Sequence, residues 1–193
     1  MSTPVTNHPT PAELKTCFDK EFEAFGTQWL FEQRALTLRT KLKVLSWVTF
    51  AAPIAVAAVL TTLDNPRIAL YTKIGSGLLS GVVGLFGLAA LVGNWSDALA
   101  ESQRSMTANS RLLEDWKEIK QLTDNDFVVA YSKLLAQNIA QENVDKIAGV
   151  SDKDKRRSMR KALLQYKLAC ATCNQTPSSI KGGSSKCSTC GDC

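Results

Sequence analysis

Apolar and polar residues recur at helical spacing along most of this chain, and in two stretches the polar positions disappear. Val44–Leu63 is twenty residues, and Ile74–Trp95 twenty-two, without one ionisable side chain. A helix of about 20 apolar residues covers the ~30 Å hydrocarbon core of a bilayer. Buried helices of a soluble domain usually keep a polar stripe, and neither run has one. The pattern predicts a transmembrane hairpin with spans at 44–63 and 74–95. The loop at 64–73 joins them, and Asp64-Asn65-Pro66 favours a tight reversal there.

The flanks read as helices. Residues 1–9 are expected to be a disordered start. Thr10, Pro11 and Glu13 supply an N-cap, a first-turn proline and the far half of a capping box. They open an N-terminal cytoplasmic helix over 10–43, with Leu14, Phe18, Phe22 and Phe25 in its pattern and a break near Gly26. After the second span, Leu99, Met106, Leu113 and Lys120 fall seven apart, beside Leu112, Trp116 and Ile119. This partial heptad predicts a helix continuous with the span, which either packs back on the N-terminal helix or forms a stalk between protomers. Asp124 or Asn125 caps a further helix with Phe127, Tyr131, Leu134, Leu135 and Ile139 on one side, ending near Gly149. Ser151 with Asp154 opens another. The fold class is therefore an all-α membrane protein: a two-helix transmembrane hairpin, cytoplasmic helices before it and over 96–168, and a small zinc-knuckle-like Cys tail at 169–193.

Charge sets the expected orientation. Arg34, Arg39, Lys41, Lys43, Arg104, Arg111 and Lys117 flank the spans on one side, against Arg67 and Lys73 in the loop. Positive residues stay inside, so both termini are cytoplasmic and the chain is multi-pass in the inner (cell) membrane. Trp47 and Trp95 then lie at the cytoplasmic interface and Tyr71 at the other. The formal net charge is +5, much of it from Lys153, Lys155, Arg156, Arg157, Arg160 and Lys161. That cluster over 153–161 is a solvated helix face or a contact for anionic lipid headgroups. Nucleic acid is not an expected partner, because no aromatic or motif signature accompanies the charge.

The two spans differ chemically. The first carries Pro53 near its centre, which invites a kink. The second holds six of the eleven glycines. Gly77 and Gly81 form a GxxxG pair, and Ser80 with Gly84 repeats the small-xxx-small spacing. These small residues pack against the hairpin partner or between protomers of a homo-oligomer. No charged residue or histidine lies inside either span, which disfavours a proton relay, a charged ion site or a small transporter subunit.

One constellation carries specific chemistry. Cys170-Ala-Thr-Cys173 and Cys187-Ser-Thr-Cys190 are two CxxC pairs thirteen residues apart, and Cys193 ends the sequence. Two such turns supply the four sulfur ligands that tetrahedral zinc takes, with Cys193 available to substitute for one. A structural Zn2+ is expected over a redox role, because no βαβ pattern surrounds either pair. Cys17 is isolated and reads as a small core residue. Enzymatic activity is not expected: the one histidine is His8, so a Ser or Cys nucleophile lacks a base.

The order of elements resembles the SMODS- and SLOG-associating two-transmembrane effector family, SLATT. The paired CxxC tail resembles the mobilome CxxCx(11)CxxC subgroup, although the spacer here is thirteen residues and Cys193 is additional. The resemblance implies a membrane effector of bacterial conflict or anti-phage defence systems. Such a protein oligomerises into a pore, or perturbs the bilayer, when a partner sensor or synthase of a nucleotide signal triggers it. The alternative is a non-conducting membrane adaptor that presents its zinc-binding tail to a protein partner.

Overall fold

A computed structural model describes residues 9–62, 74–75, 77–78, 81–88, 90, 93–122, 124–180 and 187–191. Within that set the chain is helical with no strand. The helices are α1 (Pro11–Thr62), α2 (Trp95–Ile119), α3 (Asp124–Ile147) and α4 (Asp152–Tyr166), with further helical backbone at 74–75, 77–78, 81–88 and 90 between α1 and α2 in sequence. The chain divides into two compact units: one is the sequence to Gln33 with Glu101–Cys193, the other Arg34–Ala100.

The expected caps form. Glu13 N–H donates to Thr10 Oγ1 at 3.3 Å while Thr10 N–H donates to the Glu13 carboxylate at 2.8 Å. Asp154 N–H donates to Ser151 Oγ at 3.2 Å in the same way at the start of α4. The first box satisfies two amides reciprocally, while at Ser151 the Asp154 carboxylate accepts from the hydroxyl and the cap satisfies the Asp154 amide. The break expected near Gly26 does not occur, since α1 runs unbroken through it. Gly26 instead faces α4 closely: a Cβ there would lie 3.6 Å from Ala162 Cβ and 3.6 Å from the Ser158 carbonyl oxygen. Those are ordinary van der Waals separations, and the residues around Gly26 carry the helical propensity through it.

The bundle of the first unit is built on Trp116, Phe31, Phe127 and Cys17, all essentially inaccessible to water. Cys17 and Ala24 of α1 pack with Leu112, Leu113, Trp116 and Ile119 of α2 and with Phe127 and Leu134 of α3. The heptad helix therefore packs back on the N-terminal helix. Its buried stripe is Ser102, Ser105, Asn109, Leu112, Leu113, Trp116 and Ile119, polar at one end and apolar at the other. Ile139 does not join the inner side of α3, being 51% exposed, and Asn138 at 4% takes that place. Asn138 accepts from Trp116 Nε1 at 3.1 Å and donates to Glu142, which also receives Lys20 Nζ at 2.8 Å. The indole thus keeps its hydrogen bond inside an apolar cluster, which position alone would deny it.

In the second unit, α2 is not continuous with the glycine-rich segment. Gly93 and Asn94 form a turn, with Asn94 in the left-handed region at φ 44°, before α2 starts at Trp95. Asn tolerates that region better than most residues, because its short amide bonds locally. Lys41 Nζ lies 5.4 Å from the centroid of the Trp95 ring, a cation–π contact between α1 and α2.

Among the described residues no helix is long and apolar enough to cross a membrane. The expected spans extend outside that set: the loop at 64–73 lies there in full, with Leu63, Ser76, Leu79, Ser80, Ala89, Leu91 and Val92. Many of the large apolar side chains described in these segments are open to the surroundings. Val44, Trp47, Phe50, Ile54, Ile74, Leu78, Val82, Leu85, Phe86 and Leu88 are between 47 and 74% exposed.

Candidate metal centre

The cysteine tail folds as two matching turns. Asn174 follows Cys173 with φ 56°, and its amide donates to the Cys170 carbonyl at 2.8 Å. Gly191 follows Cys190 with φ 78°, and its amide donates to the Cys187 carbonyl at 2.9 Å. A left-handed residue after each second cysteine closes the turn and points both thiols of the pair to one side. Glycine and asparagine are the residues that enter that region at least cost.

The turns meet like with like. Cys170 Sγ lies 3.9 Å from Cys187 Sγ, and Cys173 Sγ lies 3.6 Å from Cys190 Sγ. Thr172 Oγ1 and Thr189 Oγ1, at equivalent positions, are 2.6 Å apart. All four sulfurs fall within 4.8 Å of one another. A Zn–S bond of about 2.3 Å fixes the sulfur–sulfur edge of a regular tetrahedron at about 3.8 Å. The two separations between the turns bracket that edge, and both far exceed the about 2 Å of a disulfide. The donor set therefore fits one four-coordinate, thiophilic metal ion.

Burial and charge agree with that chemistry. Cys170, Cys187 and Cys190 are buried and Cys173 is half-buried, with Leu163, Leu168, Met159 and Phe22 packed around them. Backbone amides of Cys190 and Thr189 point at Cys187, and with the neighbouring thiols they lower its pKa to about 6. That shift favours the thiolate, the form that binds metal. With all four ligand positions filled by protein, the centre is closed in the manner of structural sites.

Of the other expected site residues, Cys193 and Ser80 lie outside the described residues. Gly77, Gly81 and Gly84 would each meet nothing within 4 Å of an added Cβ among the described residues. In the basic cluster, Lys153, Lys155 and Arg157 are exposed and Arg156 and Lys161 half-buried, but Arg160 does not belong to that face. Arg160 is 2% exposed and donates from Nε to the Ser179 carbonyl at 3.0 Å and from Nη1 to the Cys190 carbonyl at 3.2 Å. It is a residue of the cysteine centre that the charge pattern hid. Helical spacing held the signal, since Arg160 falls on the same side of α4 as buried Leu163.

A cleft of about 450 Å³ in the first unit is lined by Phe31, Asn109, Asn138, Glu142 and Lys20, among others. Its polar groups are largely engaged with one another. Lys20 bridges Glu23 at 2.7 Å and Glu142 at 2.8 Å, and Asn109 Nδ2 donates to Asp145 at 2.8 Å. These contacts hold α1, α2 and α3 together.

A helical bundle closed by paired CxxC turns, with four sulfurs placed to hold a metal ion, defines the class of protein. The chain belongs to the mobilome CxxCx(11)CxxC protein family, whose family model matches residues 14–193. No curated protein and no solved structure matches the chain.

Proposed function

We propose that the chain is a self-associating membrane effector of the SLATT kind, and that a structural zinc ion in the cysteine centre stiffens its cytoplasmic bundle. The observation that carries the membrane reading is the set of ten large apolar side chains of the Arg34–Ala100 unit that remain 47–74% exposed. Exposed apolar side chains in that number are costly in water and favourable against lipid or another copy of the same helix. They lie in the two runs without an ionisable group, where inserting a helix costs least. Open space at Gly77, Gly81 and Gly84 supports close approach by a second copy at the same face. Anionic headgroups suit the exposed lysines and arginines of α4.

In this reading a partner sensor or a nucleotide signal acts on the bundle, and assembly of the spans perturbs the bilayer in a bacterial defence response. The decisive experiment is induced expression of wild type, Gly77→Leu and Gly81→Leu with a membrane-potential dye and cross-linking. Leucine favours insertion but separates backbones that small residues allow to touch. The expected result is inserted variants with fewer oligomers and no depolarisation. Wild-type depolarisation and oligomers in both variants would refute the assembly. The second reading, a non-conducting adaptor, is favoured by the closed cysteine centre, and a wild-type protein that never depolarises selects it.

A further inference from the structure

We propose that the buried guanidinium of Arg160 is the counter-charge of the cysteine centre and the residue that positions its second turn. The site is thereby built for a divalent ion held by four thiolates. This inference rests on the metal reading given above.

Arg160 is placed where a charge is costly. At 2% exposure it has left water, and its two hydrogen-bond partners among the described residues are the carbonyls of Ser179 and Cys190. These carbonyl dipoles engage two of its five N–H donors and, among the described residues, leave the net charge uncompensated. A buried charge persists in proteins when an opposite charge stands close by. No ion pair among the described residues includes Arg160.

The adjacent cysteines can supply the missing charge in one form of the site. Four thiolates around one divalent ion make a dianionic cluster, whereas four protonated thiols or two disulfides are neutral. Cys190 connects the two parts. Its carbonyl takes Arg160 Nη1, while its sulfur lies 3.6 Å from that of Cys173 inside the cluster. The geometry of the clamp is equally specific. Ser179 comes before the second turn and Cys190 ends it, so one guanidinium on α4 holds both ends of the segment that delivers Cys187 and Cys190. Arg160 Nη1 also stands 4.0 Å from where a Cβ on Gly191 would be, directly behind the closing residue of that turn. Arginine suits this position because its planar fork reaches two carbonyls at once and stays charged.

The test uses the full-length protein in mild detergent, with Zn2+ or Co2+ as the probe and Arg160→Gln and Arg160→Lys as variants. Glutamine keeps a donor for the Cys190 carbonyl and removes the charge; lysine keeps the charge and loses the fork. Competition against a chromogenic chelator should show Arg160→Gln binding zinc about 10–100-fold more weakly, the usual consequence of losing an outer-shell partner. Arg160→Lys should recover most of that loss. The sulfur-to-cobalt charge-transfer band should shift in Arg160→Gln and stay near its wild-type energy in Arg160→Lys. Equal zinc affinity in wild type and Arg160→Gln would overturn the proposal, as would Arg160→Lys binding as weakly as Arg160→Gln. If Arg160→Gln does not fold, Arg160→Lys decides alone, and a tenfold loss there overturns the counter-charge. A wild-type protein that takes up neither metal would overturn the metal reading itself, an outcome distinct from wild type and Arg160→Gln loading equally.

Discussion

Tyr166, the last residue of α4, offers a measurable test of how the bundle is held together. Its ring meets Phe18, Phe22 and Phe25 of α1 edge-on at centroid distances of 5.6, 5.7 and 5.7 Å. Its phenol donates to Glu21 Oε1 at 2.8 Å, and the other Glu21 oxygen receives Lys120 Nζ. Glu21 is 5% exposed, so water is a poor substitute for the phenol. Tyr166→Phe keeps the three ring contacts and removes only that donor. A hydrogen bond to a charged acceptor contributes about 1.5–3 kcal/mol, and the half-buried position of Tyr166 places this one near the lower figure. The expected loss, about 1.5 kcal/mol, is roughly a tenfold drop in the folded-to-unfolded ratio. Tyr166→Leu should lose more, because each aromatic pair adds about 0.5–1.5 kcal/mol. Urea unfolding of the detergent-solubilised full chain, followed by near-UV circular dichroism, gives both values. The pH dependence has a definite sign. Burial, then the bond to Glu21, raises the Tyr166 pKa above its ordinary value of about 10. The folded state holds that proton more tightly, so this stability is complete below about pH 10 and falls as pH rises beyond it. Tyr166→Phe should flatten the alkaline limb. A variant with the wild-type midpoint at pH 7 and an unchanged alkaline limb would refute the reasoning.

Three further outcomes follow from the geometry. Cys173→Ser should reduce zinc below about one ion per chain and loosen the tail, because metal binding and local folding are coupled; elemental analysis and proteolysis check this. Gly149→Val should destabilise the bundle by about 1–2 kcal/mol, since Gly149 sits at φ 62°, where a β-branched residue is strained; a thermal melt reads the loss. A cysteine at Asn65 should react with an impermeant thiol reagent from outside the cell, and one at exposed Gln103 should not. Equal external labelling of both sites would overturn the orientation.

Features controlled by neighbours in sequence were legible from it. Both capping boxes depend on residues three apart, and both form as the spacing dictates. The two CxxC turns are local as well, and their joining required only a spacer long enough to fold back. Tertiary contacts overrode the local signal elsewhere. Gly26 reads as a helix breaker until α4 is placed against it. Ile139 reads as core by apolar periodicity, yet Asn138 takes the inner place because Trp116 Nε1 and Lys20, from two other helices, converge on the amide and the Glu142 it contacts. No periodicity calculation can detect a requirement set by a partner more than twenty positions away.

Arg160 shows the same limit applied to charge. Six basic residues over 153–161 read as one solvated or headgroup-contacting face because charge is assigned by residue type, while a helix distributes its side chains over every direction within two turns. Arg160 is buried on α4 three positions before buried Leu163, so burial rather than charge decides its surroundings. Once buried, its charge becomes a constraint on what stands beside it. The surrounding carbonyls can bind its N–H groups, but only an anion can offset its field. Among the described residues the cysteine centre lies beside it, and metal binding would let its four sulfurs ionise together. A basic residue that the sequence placed with five others on one charged helix is therefore the one that contacts the tail's second turn.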